Sequence, residues 1–375
     1  MKRAFCLAIL VGLSLGTTAL AQHKAEDYLK KSQSLLMKRD LEGAIAAVDK
    51  AIELKDDYAD AYVHRSSLRM MKGDISTALA DLDRALLINT DLTAAYITRG
   101  HLRMITGDIK GALSDLDNAI ARGQRSDDIF SSRGAMKLMT DDPKGALSDF
   151  NVAISMAPKR IGHYLGRASA RERLGDQAGA IVDYNYVIDS FELREKQGKI
   201  KKPGTQDMSS PIISGTERPT SNPKVTTRTD TVVTMNPEAE VSMTAEEMEY
   251  LPNVAGAYLN RAQIYIERRD SDAAMVDLNK SVSVYPHFAA YDIRAQEWKK
   301  RGDLNGALAD LNRSIELQPG RAFAYLERGA TLVLMGKDAE AEKDFSECLA
   351  LDPSLKATVE SRRTEAKKQK QKDSP

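Results

Sequence analysis

Seven arginines in this chain are each followed sixteen residues later by an aspartate: Arg65/Asp81, Arg99/Asp115, Arg133/Asp149, Arg167/Asp183, Arg261/Asp277, Arg294/Asp310 and Arg328/Asp344. A guanidinium and a carboxylate meet as a planar pair joined by two hydrogen bonds. A fixed spacing between them therefore points to a repeated structural ion pair. The same arginines turned outward would make a stripe for anionic ligands, but the aspartate that accompanies each one favours the inward reading. Removing one partner of a buried pair costs about 3–5 kcal/mol, whereas an exposed pair is worth about 0–1 kcal/mol. The spacing alone does not decide between a bridge inside one unit and a bridge to its neighbour.

Other reactive side chains are scattered. His23, His64, His101, His163 and His287 never fall at metal-ligand spacing. His64 and His101 read as a surface pair, three residues out of register on adjacent first helices. No phosphate loop, nucleophile elbow or zinc-protease helix is present. The acidic doublets Asp56-Asp57 and Asp141-Asp142 sit at expected turns and caps. We assign no catalytic, cofactor-binding or metal-binding residue, expect no cofactor, and read the chain as a non-enzyme.

The charged pairs must be positioned by something regular, and the chain supplies it. Ala44, Ala78, Ala112, Ala146 and Ala180 recur every 34 residues; Ala274, Ala307 and Ala341 follow after a gap, 33 and 34 apart. An aspartate precedes seven of these alanines by four: Asp40, Asp74, Asp108, Asp142, Asp176, Asp270 and Asp303. Self-similarity at this length implies a solenoid of stacked units. Each unit reads as two helices. Gly73, Gly107, Gly175, Gly302 and Gly336 stop the first, because glycine accepts the left-handed conformation at a helix end. The aspartate caps the second by accepting its free amide protons. Pro158, Pro286, Pro319 and Pro353 end that second helix in four copies. On the wheel, Tyr62, Arg65, Ser66 and Arg69 share one side, as do Ala78, Asp81, Leu82 and Ala85. The Arg and Asp therefore face each other across each hairpin.

This pattern resembles the tetratricopeptide repeat family, at 34 residues per helix-turn-helix unit, with eight copies over about 270 residues. The early aromatic position is held by Tyr28, Tyr62, Tyr96, Phe130, Tyr164, Tyr258, Tyr291 and Tyr325. The family's next Leu-Gly pair is replaced here by Arg and a small residue, and a later tyrosine by Arg69, Arg103, Lys137 and Arg171. The resemblance implies an all-α, right-handed superhelix of about eight hairpins whose first helices line a concave partner-binding groove. The corresponding positions are Val63, His64, Ser67 and Met71; Ile97, Thr98, His101 and Ile105; Ser131, Ala135 and Met139; Leu165, Ser169 and Arg173. This face is mildly apolar, with small polar positions and flexible methionines. Met70, Met71, Met104, Met136 and Met139 are expected mostly to fill gaps between units. The family's Lys and Asn clamp for a terminal carboxylate is not carried over, because the matching positions hold Leu29, Gln33, His64, Ala94 and Thr98.

The remaining segments bound the organisation. Residues 1–21 combine Lys2 and Arg3, an apolar run from Ala4 to Leu15 and the small-x-small end Ala19-Leu20-Ala21. They read as a cleaved signal peptide, and the location as periplasmic or secreted. The whole chain has 54 Lys and Arg against 54 Asp and Glu. Cleavage removes two cations and no anion, leaving 52 against 54 and a net charge of −2. Such a balance gives nucleic acid no invitation. Cys6 departs with the signal, so Cys348 has no disulfide partner. Five repeats are expected at 25–191 and three at 252–355. Between them, 192–251 starts as a charged helical extension. It continues as a Ser/Thr/Pro-rich insertion expected to be largely disordered, within which Val225 to Met235 carries strand-like alternation. Thr244 opens a capping box that restarts helix. Residues 356–375 read as a basic capping helix and tail. Contact with a membrane surface through Arg362, Arg363, Lys367, Lys368, Lys370 and Lys372 is a minor expectation, because no apolar face opposes the charge. The function expected is a non-catalytic scaffold holding a protein or peptide outside the cytoplasm; the alternative is a self-assembling spacer of the cell envelope.

Overall fold

The computed structural model describes residues 22–200 and 245–373. Residues 1–21, expected to be a signal peptide, most of the insertion with its Val225–Met235 stretch, and the last two residues lie outside the described residues. All regular structure among those described is helical. The chain divides into two units, residues 1–174 and 175–375, and the division falls between the two helices of the fifth copy.

In the first unit, α1 (residues 22–37) and α2 (Leu41–Leu54) form the first hairpin. Then come α3 (Ala59–Lys72) with α4 (Ile75–Ile88), α5 (Thr93–Ile105) with α6 (Ile109–Ala121), and α7 (Asp127–Met139) with α8 (Pro143–Met156). Helix α9 (Ile161–Arg173) closes the unit. The second unit begins with α10 (Gln177–Lys196). Three hairpins follow: α11 (Ala245–Glu267) with α12 (Ser271–Val284), α13 (Phe288–Lys300) with α14 (Leu304–Leu317), and α15 (Ala322–Leu334) with α16 (Asp338–Leu351). A 3-10 turn, Pro353–Leu355, leads into α17 (Lys356–Asp373).

Local chemistry sets each hairpin. All seven repeat aspartates cap the second helix by accepting a hydrogen bond from the amide three residues on, as Asp108 does from Gly111 and Asp270 from Ala273. The turn before each cap needs a left-handed residue. Gly73, at φ 85°, is one of five glycines that supply it; Arg39, Asp141 and Arg269 adopt the same region at φ 60–62° in the copies that lack glycine. Small residues let the paired helices approach. Ala78, Ala112, Ala146, Ala274, Ala307 and Ala341 are fully buried, with Leu82, Leu116, Phe150, Leu278, Leu311 and Phe345 one helical turn on. Phe150 shows how tight this is: its ring lies where a methyl group on Gly166 would come within 2.3 Å and one on Gly134 within 3.1 Å.

Two longer helices flank the insertion. Helix α10 has 20 residues and α11 has 23, against 13 or 14 in the other repeat helices from α2 to α16. Their extra turns pack together, with Phe191 and Tyr250 ring centroids 6.5 Å apart and the Arg194 guanidinium 4.7 Å from the Tyr250 ring. Helix α11 thus stacks on α10 although 48 residues lie between them in sequence. Tyr258 donates its hydroxyl to Glu192, and Asn260 donates to the Tyr184 hydroxyl.

Helix α17 seals the last hairpin with few apolar contacts, burying Val359 and Ala366 against the core around Leu326, Val333 and Phe345. Its basic side chains turn onto the acids of that hairpin. Arg362 Nε donates to Glu327 Oε1 at 3.0 Å, Arg363 Nη2 to Glu342 at 2.6 Å and Lys370 to Asp338 at 3.4 Å. Glu327 is itself buried and also takes Lys299 of α13, so one carboxylate ties α13, α15 and α17.

Candidate functional site

The repeat arginines point into the stack. In the six pairs that lie within one unit, arginine Nε donates to one carboxylate oxygen of its aspartate at 2.7–3.0 Å and Nη2 to the other at 2.6–2.7 Å. Those aspartates, Asp81, Asp115, Asp149, Asp277, Asp310 and Asp344, are 1–5% exposed. Of the seventh pair, Arg167 belongs to the first unit and Asp183 to the second.

The third arm of each guanidinium reaches backward. Nη1 donates to Asp49 from Arg65, to Asp83 from Arg99 and to Asp117 from Arg133, each at 2.7 Å. Arg167, Arg261, Arg294 and Arg328 give the same bond to Asn151, Asn185, Asn279 and Asn312, at 2.5–2.9 Å. Each arginine thus joins its own helix, the second helix of its hairpin where both lie in one unit, and the second helix before it. The link from Arg261 to Asn185 resumes this ladder on the far side of the insertion. The aromatic three residues earlier supports each guanidinium, with centroid distances of 5.3–5.7 Å in the seven copies from Arg65 to Arg328. These stacks combine desolvated cation–π contact with a bidentate pair.

In the first unit a second cation serves the same carboxylate. Arg69, Arg103 and Lys137 approach Asp81, Asp115 and Asp149 at 2.7–2.8 Å. This explains why basic residues replace the tyrosine the family carries there. In the second unit the equivalent places hold Tyr265, Trp298 and Leu332; of these, Trp298 hydrogen-bonds Asp310. Burial pushes its pKa up against the opposing hydrogen bonds from Arg294 and Trp298. On Arg65 and Arg99 burial works against the charge, yet the hydrogen bonds to their carboxylates prevail and both pKa values are raised.

Histidines follow the same structural logic. Ser32 donates its hydroxyl proton to the Ala44 carbonyl at 2.7 Å, so the His64 Nε2 atom 2.9 Å away must be the donor to Ser32 Oγ. Ser281 repeats the device with Ala255 and His287. Burial depresses the pKa of both His64 and His287. His163 is buried beside Asp127, which also takes Arg160. Among the described residues, no group of three or more His, Cys, Asp or Glu is placed to hold a metal. No described helix is long and apolar enough to cross a membrane.

The expected groove residues fall on the other side of the first helices, and none is fully buried. Ser67, Met71, Ile105, Ala135, Met139 and Arg173 are exposed; Val63, His64, Ile97, Thr98, His101, Ser131, Leu165 and Ser169 are half-buried. His64 is engaged with Ser32 and is therefore part of the packing. Of the five methionines, Met136 is fully buried and Met70 and Met104 pack against core clusters, whereas Met71 and Met139 stand open.

A tetratricopeptide repeat model matches residues 255–288 and 324–355. Both stretches, which lie in the second unit, carry the tetratricopeptide repeat. A tetratricopeptide repeat protein from Parabacteroides merdae is similar in fold, with a TM-score of 0.51 at 15% identity over 83% of this chain and 99% of that one. MamA gives 0.45 at 20% identity over 48% of this chain and 98% of its own. YrrB, described as having an unusual peptide-binding site, gives 0.43 at 17% over 64% and 93%. No curated protein sequence matches. Proteins built from tetratricopeptide repeats are in general scaffolds that bind other proteins or peptides.

Sequence reasoning passed over the backward acceptors from Asp49 to Asn312. Their signal was present: from the second copy of the repeat to the seventh, the buried aspartate is followed two residues later by Asp or Asn. It passed over Met37 as well, because the first copy has Lys31 where the others have arginine.

Proposed function

We propose that this protein is a non-catalytic scaffold that holds a partner protein or peptide along the open face of its first helices, outside the cytoplasm. One observation carries the reading. The charged groups the repeat supplies most regularly are paired within the stack, while the opposite face of the same helices presents open apolar and neutral polar side chains. Docking there draws on shape and many weak contacts, and a rigid stack avoids much of the ordering cost of binding. The signal-like residues 1–21 support an exported location; the mature chain is expected to begin at Gln22, which intact-mass measurement of the protein isolated from cell fractions checks.

A photo-crosslinking residue placed at Ser67 or Ala135 tests the docking face in intact cells. A discrete crosslinked product is expected from these sites and not from Ser114 or Ser148 on the second helices. Equal labelling from both sets, or none from the first, would remove the docking face.

A further inference from the structure

Helix α17 closes a face that stands open in the copies of the first unit. Ala330 of α15 holds the register of Ser67, His101, Ala135 and Ser169, which are exposed or half-buried, yet it is 5% exposed. Val333, at 1%, holds the register of the half-buried Met70, Met104 and Leu138. The cover is α17, whose Val359 and Ala366 join both residues in one apolar cluster with Leu326 and Phe345.

This cover is held chiefly by charge. Among the described side chains of α17 only Val359 and Ala366 are buried, whereas α15 buries eight of its 13 residues. Helix α17 carries seven Lys and Arg against three Asp and Glu. Three of the cations pair inward, Arg362 with Glu327, Arg363 with Glu342 and Lys370 with Asp338, and their side chains remain 23–44% exposed. Pairs this open are weak singly and are screened by salt. Arg363 also stacks 5.0 Å from the Phe345 ring, but its buried Nε has no hydrogen-bond partner, so the seat is not fully satisfied. Glu327 keeps Lys299 of α13 when Arg362 leaves, so release strands no buried charge. Lys356, Lys367 and Lys368 are exposed along the same helix.

The connection permits release. Pro353 stops α16, and Asp352 accepts the Ser354 amide at 2.9 Å, so α17 is a separate helix on one 3-10 turn. It can lift without unwinding α16. Segments with few buried apolar contacts open locally at a lower free energy than the whole fold.

We propose that α17 is a releasable strap. Seated, it closes the first-helix face of the last hairpin over Ala330 and Val333. It lifts when an acidic segment of a partner takes up its cations in place of Glu327, Glu342 and Asp338. Release of the strap does not depend on the docking face put forward for the first unit.

A thiol placed under the strap reads its position. Cys6 and Cys348 are first changed to Ser in the full chain; Ser281 and Ser314 already stand at the place of Cys348 in two other copies. Maleimide labelling of Ala330→Cys is then followed, with Ala135→Cys as the open reference. Labelling at position 330 should quicken about tenfold between about 0.05 and 1 M NaCl, and about tenfold at low salt in a chain carrying Arg362→Gln and Arg363→Gln. An oligoglutamate peptide should quicken it too, and an oligolysine peptide of equal length at matched ionic strength should not. Labelling at position 135 should stay constant throughout. Amide exchange read by mass spectrometry should rise in α17 and stay slow in α15 and α16, which separates release from unfolding of the hairpin. Labelling at position 330 that ignores both salt and the double substitution overturns the proposal. So does exchange of α16 and α17 at one common rate, or an equal effect of the two peptides.

Discussion

Replacing Asp115 by Asn keeps the shape of a side chain at the centre of the ladder and deletes its charge. Asp115 accepts from Arg99 Nε and Nη2 at 3.0 and 2.6 Å and from Arg103 Nη1 at 2.8 Å. Its side chain is 2% exposed, that of Arg99 14% and that of Arg103 25%. Breaking a buried pair costs about 3–5 kcal/mol, chiefly through the charge left behind. Both arginines retain other acids within reach, Asp83 at 2.7 Å from Arg99 and Asp108 at 3.6 Å from Arg103. The lower end of the range therefore applies, about 3 kcal/mol. For a unit of this size that lowers Tm by about 6–12 °C. Asp83→Asn is the internal control. Asp83 contacts the same guanidinium but is 57% exposed, so the loss should stay within about 1 kcal/mol. Four other copies already use Asn at the corresponding place. Urea unfolding followed by circular dichroism reads both variants, with slopes compared because a stacked array can unfold in parts. Asp83→Asn costing as much as Asp115→Asn, or Asp115→Asn costing less than about 1 kcal/mol, would refute the assignment of the buried arm as the structural one.

Other outcomes follow from the same geometry. Asp141→Gly relieves a left-handed aspartate at φ 60° and should stabilise by about 0.5–1 kcal/mol in thermal melts; Arg39→Gly should do likewise. Gly166→Ala would gain about 1 kcal/mol of helix propensity in isolation. It instead drives a methyl group to 2.3 Å from the Phe150 ring, for a net loss of about 1–3 kcal/mol by urea titration, and Phe150→Leu should rescue it. His64 and His287 have folded-state pKa values below their unfolded values, so the unfolded chain binds more protons as pH falls. Stability is therefore full above about pH 6.5 and declines below it, and His64→Gln should flatten part of that slope in melts from pH 7.5 to 5.

Much of the fold was legible because hairpin formation is local. The turn glycines, the capping aspartates and the small residues at the helix crossing each act within a few residues of themselves, so their period shows directly. The forward arm of the ladder was legible too, since sixteen residues folded at a midpoint bring Arg and Asp level. The backward arm was not, because it depends on how one hairpin stacks on the last. Its acceptor varies between Asp and Asn, which hides a constant geometric role under two residue types. His64 was misplaced in the groove for a related reason: its partner, Ser32, lies two helices earlier, and a wheel drawn on α3 does not contain it. The exposed side chains of Met37, Met71 and Met139 were only partly seen, since methionine at helical spacing looks the same whether it fills a core or faces water.

The scaffold and the docking surface are separated most directly by repeating the crosslinking capture from Ser67 in a chain carrying Arg99→Gln, at a temperature where that variant remains folded. Capture equal to the parent, alongside a lowered Tm, is the predicted result. A folded Arg99→Gln chain that no longer captures its partner would show that the arginines themselves make the binding surface.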